Sequence, residues 1–98
     1  MDRVDVLRFC EGALARYGPT AQAEKAVEEL RELDEALTRY LCAACPPPGT
    51  RGHNAVVDEI ADVLIMVEQM RIAFGAKAVD ERIAFKIERQ RQRMQEGE

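Results

Sequence analysis

The sequence predicts an all-α fold, an antiparallel bundle of about four helices. Apolar residues recur at helical spacing in four stretches. The β-branched alternation and the Asn-Gly or Asp-Gly pairs that mark strands and hairpins are absent. Gly18-Pro19, Pro46-Pro47-Pro48-Gly49 and Gly75 separate the stretches with residues that end helices. The 98 residues make one domain (1–98), with its core in 20–93 and a fraying tail at 96–98.

The first helix is expected over residues 2–17, carrying Val4, Leu7, Ala13 and Leu14, and Gly18-Pro19 stops it. The second runs over 20–43 with Thr20 as N-cap, and its stripe is Ala26, Leu30, Leu33, Leu37 and Leu41 with Val27 alongside. The proline run then makes a stiff, extended loop to about residue 52. Asn54 is the expected cap of the third helix, which ends at Phe74 before Gly75. The fourth is expected over 79–95.

Helix three is apolar nearly all round: Ile60, Leu64 and Val67 form one ridge, Ala61, Ile65 and Ile72 another, Met66 and Met70 a third. Such a helix must be covered on most sides. Four helices of this length hardly suffice, so oligomerisation is expected to complete the bundle. Tyr17, Phe74 and Phe85 are expected in the core.

Composition narrows the function. The chain is 47% apolar and 33% charged, as folded domains are. A net charge of −4 and an aromatic content of 5% argue against nucleic-acid binding, which needs basic surplus or stacking platforms. No apolar run approaches the roughly 20 residues of a membrane span. The N-terminus lacks a secretory signal, and three cysteines fit reduced thiols, so a cytoplasmic protein is expected.

The chemistry lies in two acidic pairs, Glu29-x-x-Glu32 and Glu59-x-x-Asp62. Spacing of i, i+3 puts each pair on one helix face. Glu29 falls on the shoulder of its apolar stripe and Glu32 just outside it. Asp62 sits between Ile60-Ala61 and a run of five apolar residues. Burying carboxylates costs several kcal/mol each unless a cation or hydrogen bonds compensate. Oxygen-only ligands suit a hard ion, Mg²⁺ or Mn²⁺. Glu28, Glu35 and Asp58 face water. The plain alternative is a set of surface acids paired with Arg31, Arg39 or Arg71.

Glu28-Glu29-Leu30-Arg31-Glu32-Leu33 followed by Glu59-Ile60-Ala61-Asp62-Val63-Leu64 resembles the MazG-like all-α nucleoside triphosphate pyrophosphohydrolases, whose pattern is E-x-x-E, a variable spacer, then E-x-x-D. The likeness extends to Ile83-Ala84-Phe85-Lys86-Ile87-Glu88-Arg89 and covers roughly 20–93. It implies a homodimer or homotetramer that hydrolyses a nucleoside triphosphate between the α- and β-phosphates, with Mg²⁺. Carried over by position, Glu29, Glu32, Glu59 and Asp62 would be the metal ligands. Lys86 and Arg89, on the helix-four side that also bears Arg82 and Arg93, would contact phosphates; Val79, Ile83, Ile87 and Met94 would seat that helix. Glu32 is the expected water-activating carboxylate. Phosphoribosyl-ATP pyrophosphohydrolase is a rival, disfavoured because Met66 stands where that family has a His. A non-catalytic helical dimerisation module is the other alternative.

Cys42-x-x-Cys45, Cys10 and His53 invite a zinc reading. No second C-x-x-C exists, and this one closes a helix where the dipole disfavours a thiolate, so incidental thiols are expected. His53 is read as a loop residue or a nucleotide contact, and Tyr40 lies on the Glu29/Glu32 side.

Overall fold

A computed structural model describes residues 1–97 and holds four helices: α1 (Arg3–Tyr17), α2 (Pro19–Cys42), α3 (Arg51–Phe74) and α4 (Ala76–Gln95). No strand occurs among the described residues. Of the tail expected to fray, Glu96 and Gly97 close α4 in a turn, and Glu98 lies outside the described residues.

Start signals explain the boundaries. Asp2 caps α1 in a reciprocal box with Asp5: the Asp5 N–H donates to Asp2 Oδ1 at 2.9 Å and the Asp2 N–H to Asp5 Oδ2 at 3.2 Å. Gly18, at φ +86°, joins α1 to α2, and Pro19 opens α2 in the first-turn position where a missing N–H costs nothing. Thr20 therefore lies inside the helix and is not its cap. Thr50, not Asn54, caps α3: its hydroxyl accepts from the His53 N–H at 3.3 Å and donates to the Pro47 carbonyl at 2.8 Å. Helix α3 consequently starts at Arg51, and His53 stands in its first turn instead of a loop.

Link length decides which helices pair. The segment 43–50 is long enough for α2 and α3 to fold back as an antiparallel hairpin, and Gln22 meets Gln69 at one end while Tyr40 meets His53 at the other. Gly75 alone, at φ +109°, joins α3 to α4. A single residue cannot reverse a helix onto its predecessor. Residues 76–78, expected as linker, join α4 instead, and α4 leaves the bundle. It packs on α3 only, near their junction. Arg71 fixes that corner by donating Nε and Nη2 to the two Asp80 carboxylate oxygens at 2.8 and 2.6 Å, while its Nη1 reaches Glu68. Glu68 also holds Arg3 of α1 at 3.1 Å.

The radius of gyration, 16.3 Å, exceeds the roughly 13 Å of a compact domain of this length. The core is correspondingly thin: Cys10, Ala26, Ala36, Val63 and Met66, with buried Glu29 and Gln69. The leucines of α2 were expected to face this core, but Leu30, Leu37 and Leu41 are exposed, as are Ile60, Leu64 and Val67 of α3. Ala26 and Ala36 are buried in the α2–α3 seam, opposite larger Val63 and Met66 of α3. At 100° per residue, the exposed leucines and the Ile60-Leu64-Val67 ridge flank the same side of the antiparallel pair. Tyr17, Phe74 and Phe85, expected in the core, are also exposed. Ile83, Ile87 and Met94 likewise stay in water, so the apolar row of α4 seats nothing in this chain beyond half-buried Val79.

Candidate metal centre

The α2 side of the seam presents Ala26, Glu29, Leu33, Ala36 and Tyr40; the α3 side presents Val56, Glu59, Val63, Met66 and Met70. Two carboxylates thus stand in a row otherwise made of apolar residues. Glu29 is 8% exposed and Glu59 half-buried. Glu29, Glu59 and Asp62 each bring a carboxylate oxygen within 4.8 Å of the others. Buried Glu29 Oε2 and Glu59 Oε2 have no hydrogen-bond partner.

Glu32 joins this group at its edge. Repulsion from Glu29, a hydrogen bond to the same carboxylate, partial desolvation and the charge of Glu59 together push its carboxyl above the usual 4.5. Lys25, one turn before Glu29, sets its Nζ 3.3 Å from Glu29 Oε1 and is held above its ordinary range by that bond and by Glu28. Lys25 was missed in the sequence, although its i, i+4 spacing to Glu29 is the signal that finds it. The arginines weighed as partners of the acids go elsewhere: Arg39 pairs with Glu35, and Arg71 with Glu68 and Asp80. Glu28, Glu35 and Asp58 are solvent-exposed, as expected.

The donor set fits a hard divalent cation. On an octahedral Mg²⁺ neighbouring ligands stand about 3.0 Å apart and opposite ones about 4.2 Å, so the three oxygens, now within 4.8 Å, would draw together to share an ion. Such an ion would satisfy both orphaned oxygens and relieve repulsion that Lys25 offsets only in part.

The expected phosphate contacts are not brought to this site within the chain. Lys86 and Arg89 lie on exposed α4, which packs on α3 alone, and Arg89 with Arg82 stacks on the Phe85 ring, at 5.8 and 4.8 Å from its centroid. The corner that Arg71 and Asp80 fix between α3 and α4 directs α4 away from the acids. His53 meets Tyr40 edge-on, with ring centroids 6.2 Å apart, and buries Nδ1 without a partner. The thiols are free; Cys42 and Cys45 are exposed, and buried Cys10 donates weakly to the Ile65 carbonyl at 3.7 Å.

No family model, no curated protein and no solved structure matches this chain. Among the described residues no helix is long and apolar enough to cross a membrane.

Proposed function

We propose that the protein is a Mg²⁺-dependent nucleoside triphosphate pyrophosphohydrolase, with Mn²⁺ able to replace Mg²⁺, working in the cytoplasm as a homodimer or homotetramer. The observation that carries this reading is the meeting of Glu29 and Glu59, in an apolar seam, with exposed Asp62 at its edge, two buried carboxylate oxygens being left unpartnered. The resemblance to MazG-like enzymes in the same residues supports the choice of reaction.

Water attacks the triphosphate, the bond between the α- and β-phosphates breaks, and the products are the nucleoside monophosphate and pyrophosphate. Glu29, Glu59 and Asp62 would hold the ion, with Glu32 beside them. When bound, the ion neutralises phosphate charge and acidifies water. Glu32 is suited to take the proton of the attacking water, because it stands beside the three ligands at the edge of the site and is not itself one of them. Lys25, already against Glu29, offers a cation at the same edge. Lys86 and Arg89 serve the phosphates in this reading from the α4 of a neighbouring subunit. The shared exposed face of Leu30, Leu37, Ile60 and Leu64 gives such a neighbour an apolar surface to cover.

The test is metal-dependent pyrophosphate release from a panel of nucleotides, with Glu59→Gln and Asp62→Asn as controls. Loss of release in both variants is expected; activity that survives both removes the site. Wild-type protein that binds neither Mg²⁺ nor Mn²⁺ would leave the helical interaction module as the better reading.

A further inference from the structure

The groove holding the acids does not end at them. A cavity of about 290 Å³ continues between the last turns of α2 and the first turns of α3, lined by Ala36, Tyr40, Ala43, Gly52 and Ala55 together with the exposed Arg39 and Arg51. Helical periodicity places it on the same side as the acids. Arg39 follows Glu32 by seven residues and Ala55 precedes Asp62 by seven, two turns in each case. The nearest lining positions, Ala36 and Ala55, are one turn, about 6 Å, from Glu32 and Glu59. A ribose spans such a gap between an α-phosphate and a base.

The lining is largely apolar and made of small residues. Four of the lining residues, Ala36, Ala43, Gly52 and Ala55, carry a methyl group or none, and Tyr40 adds a ring. At Gly52 an added Cβ would stand 3.3 Å from Pro46 Cγ, so the missing side chain lets the proline loop close that end. The two charged side chains of the lining, Arg39 and Arg51, are both donors. Arg39 is held only by a loose, exposed bridge to Glu35 at 3.5 Å, and among the described residues Arg51 makes no ion pair. Arg51 is also the first residue of α3, where the helix end adds positive potential.

We infer that this slot receives the substrate's nucleobase and that the Arg39 and Arg51 forks select guanine. The inference rests on the proposed nucleotide hydrolysis for the position of the phosphates. Guanine presents two acceptors, O6 and N7, side by side, and a guanidinium fork meets both. Adenine and cytosine present an amino donor on that edge, which the two guanidinium groups cannot accept. Tyr40 and the alanines contact any base alike; the arginines distinguish them.

The test is calorimetric titration of the full chain, without metal, with GMP, AMP, CMP and UMP. Hydrolysis of the four triphosphates is measured in parallel. GMP is expected to bind most tightly. Arg39→Lys and Arg51→Lys, which keep the charge but lose the fork, are each expected to weaken GMP about tenfold while moving the others little. Ala55→Leu, at an exposed helical position, is expected to fill the slot and weaken all four. GMP binding no tighter than AMP, guanine preference intact in both lysine variants, or unchanged affinities in Ala55→Leu would each overturn the inference. Metal-dependent hydrolysis without base preference would sink the guanine slot and leave the enzyme standing. Selective GMP binding without hydrolysis of any triphosphate would do the reverse.

Discussion

Neutralising Glu59 should make the metal-free protein more stable and at the same time abolish its response to Mg²⁺. Glu59→Gln keeps the shape of the side chain and removes one charge from a trio whose oxygens lie within 4.8 Å of one another. At that separation two unit charges repel by about 0.9 kcal/mol in a water-like medium and about 3.5 kcal/mol at an effective permittivity of 20. Asp62 is exposed, so its pair with Glu59 takes the lower value; Glu29 is buried, so its pair lies nearer the higher one. Removing both gives a gain of about 2–4 kcal/mol once relaxation and screening are counted. For a domain of this size that raises Tm by about 10 °C or more. Wild-type protein should gain about 2.7 kcal/mol at a Mg²⁺ concentration 100 times its Kd, and the variant much less. Thermal melts followed by circular dichroism, with and without Mg²⁺, read both effects. A metal-free Glu59→Gln protein that melts below wild type would refute the repulsion argument. A wild-type Tm indifferent to Mg²⁺ would refute the metal centre.

Further expectations concern the rest of the molecule. Gln22→Ala removes the donor 2.7 Å from Gln69 Oε1, on a side chain only 1% exposed, and should cost about 1–3 kcal/mol in denaturant unfolding; no change would mean that water already serves Gln69. Leu64→Glu on the exposed ridge should shift sedimentation from oligomer to monomer, and a wild type already monomeric at micromolar concentration would refute subunit packing there. Two carboxyl groups should give opposite pH slopes in metal-free protein. Asp80 is held below its usual 3.8 by its hydrogen bond to Arg71, so its contribution is present above 3.8 and lost as pH falls through the lowered value. Glu32 is raised above 4.5 by Glu29, so its contribution is present below 4.5 and lost as pH rises through the raised value. Asp80→Asn and Glu32→Gln should each flatten only its own window in pH-dependent melts.

The acidic pairs and the four helices were legible because both write themselves at short range, as i, i+3 carboxylates and as apolar residues at helical period. Helix pairing was not. The leucines dominate the hydropathy of α2, yet Leu30 and Leu37 stand outside while Ala26, Glu29 and Ala36 are buried, because the face that meets α3 is set by helix pairing and not by the hydropathy of α2 alone. The place of Lys86 and Arg89 depended on whether Gly75 alone could reverse the chain. The fourth helix was expected to start at 79, and it forms from Ala76, which shortens the link to Gly75. The Thr50 cap was missed because its hydroxyl works through a contact with the proline loop, which helical periodicity does not register.

The single-residue junction at Gly75 also bears on how the chain melts. Helix α4 would be about 30 Å long, and past its first turns every described side chain is exposed. An isolated 20-residue helix gains little beyond its costly nucleus, and without packing its turns open one by one from the free end. Within a single chain, α4 should therefore lose ellipticity gradually, well before the α2–α3 hairpin with α1 unfolds in one step. The calorimetric enthalpy of the sharp transition should then fall short of that expected for the full chain. Whatever covers α4 would restore a single cooperative transition.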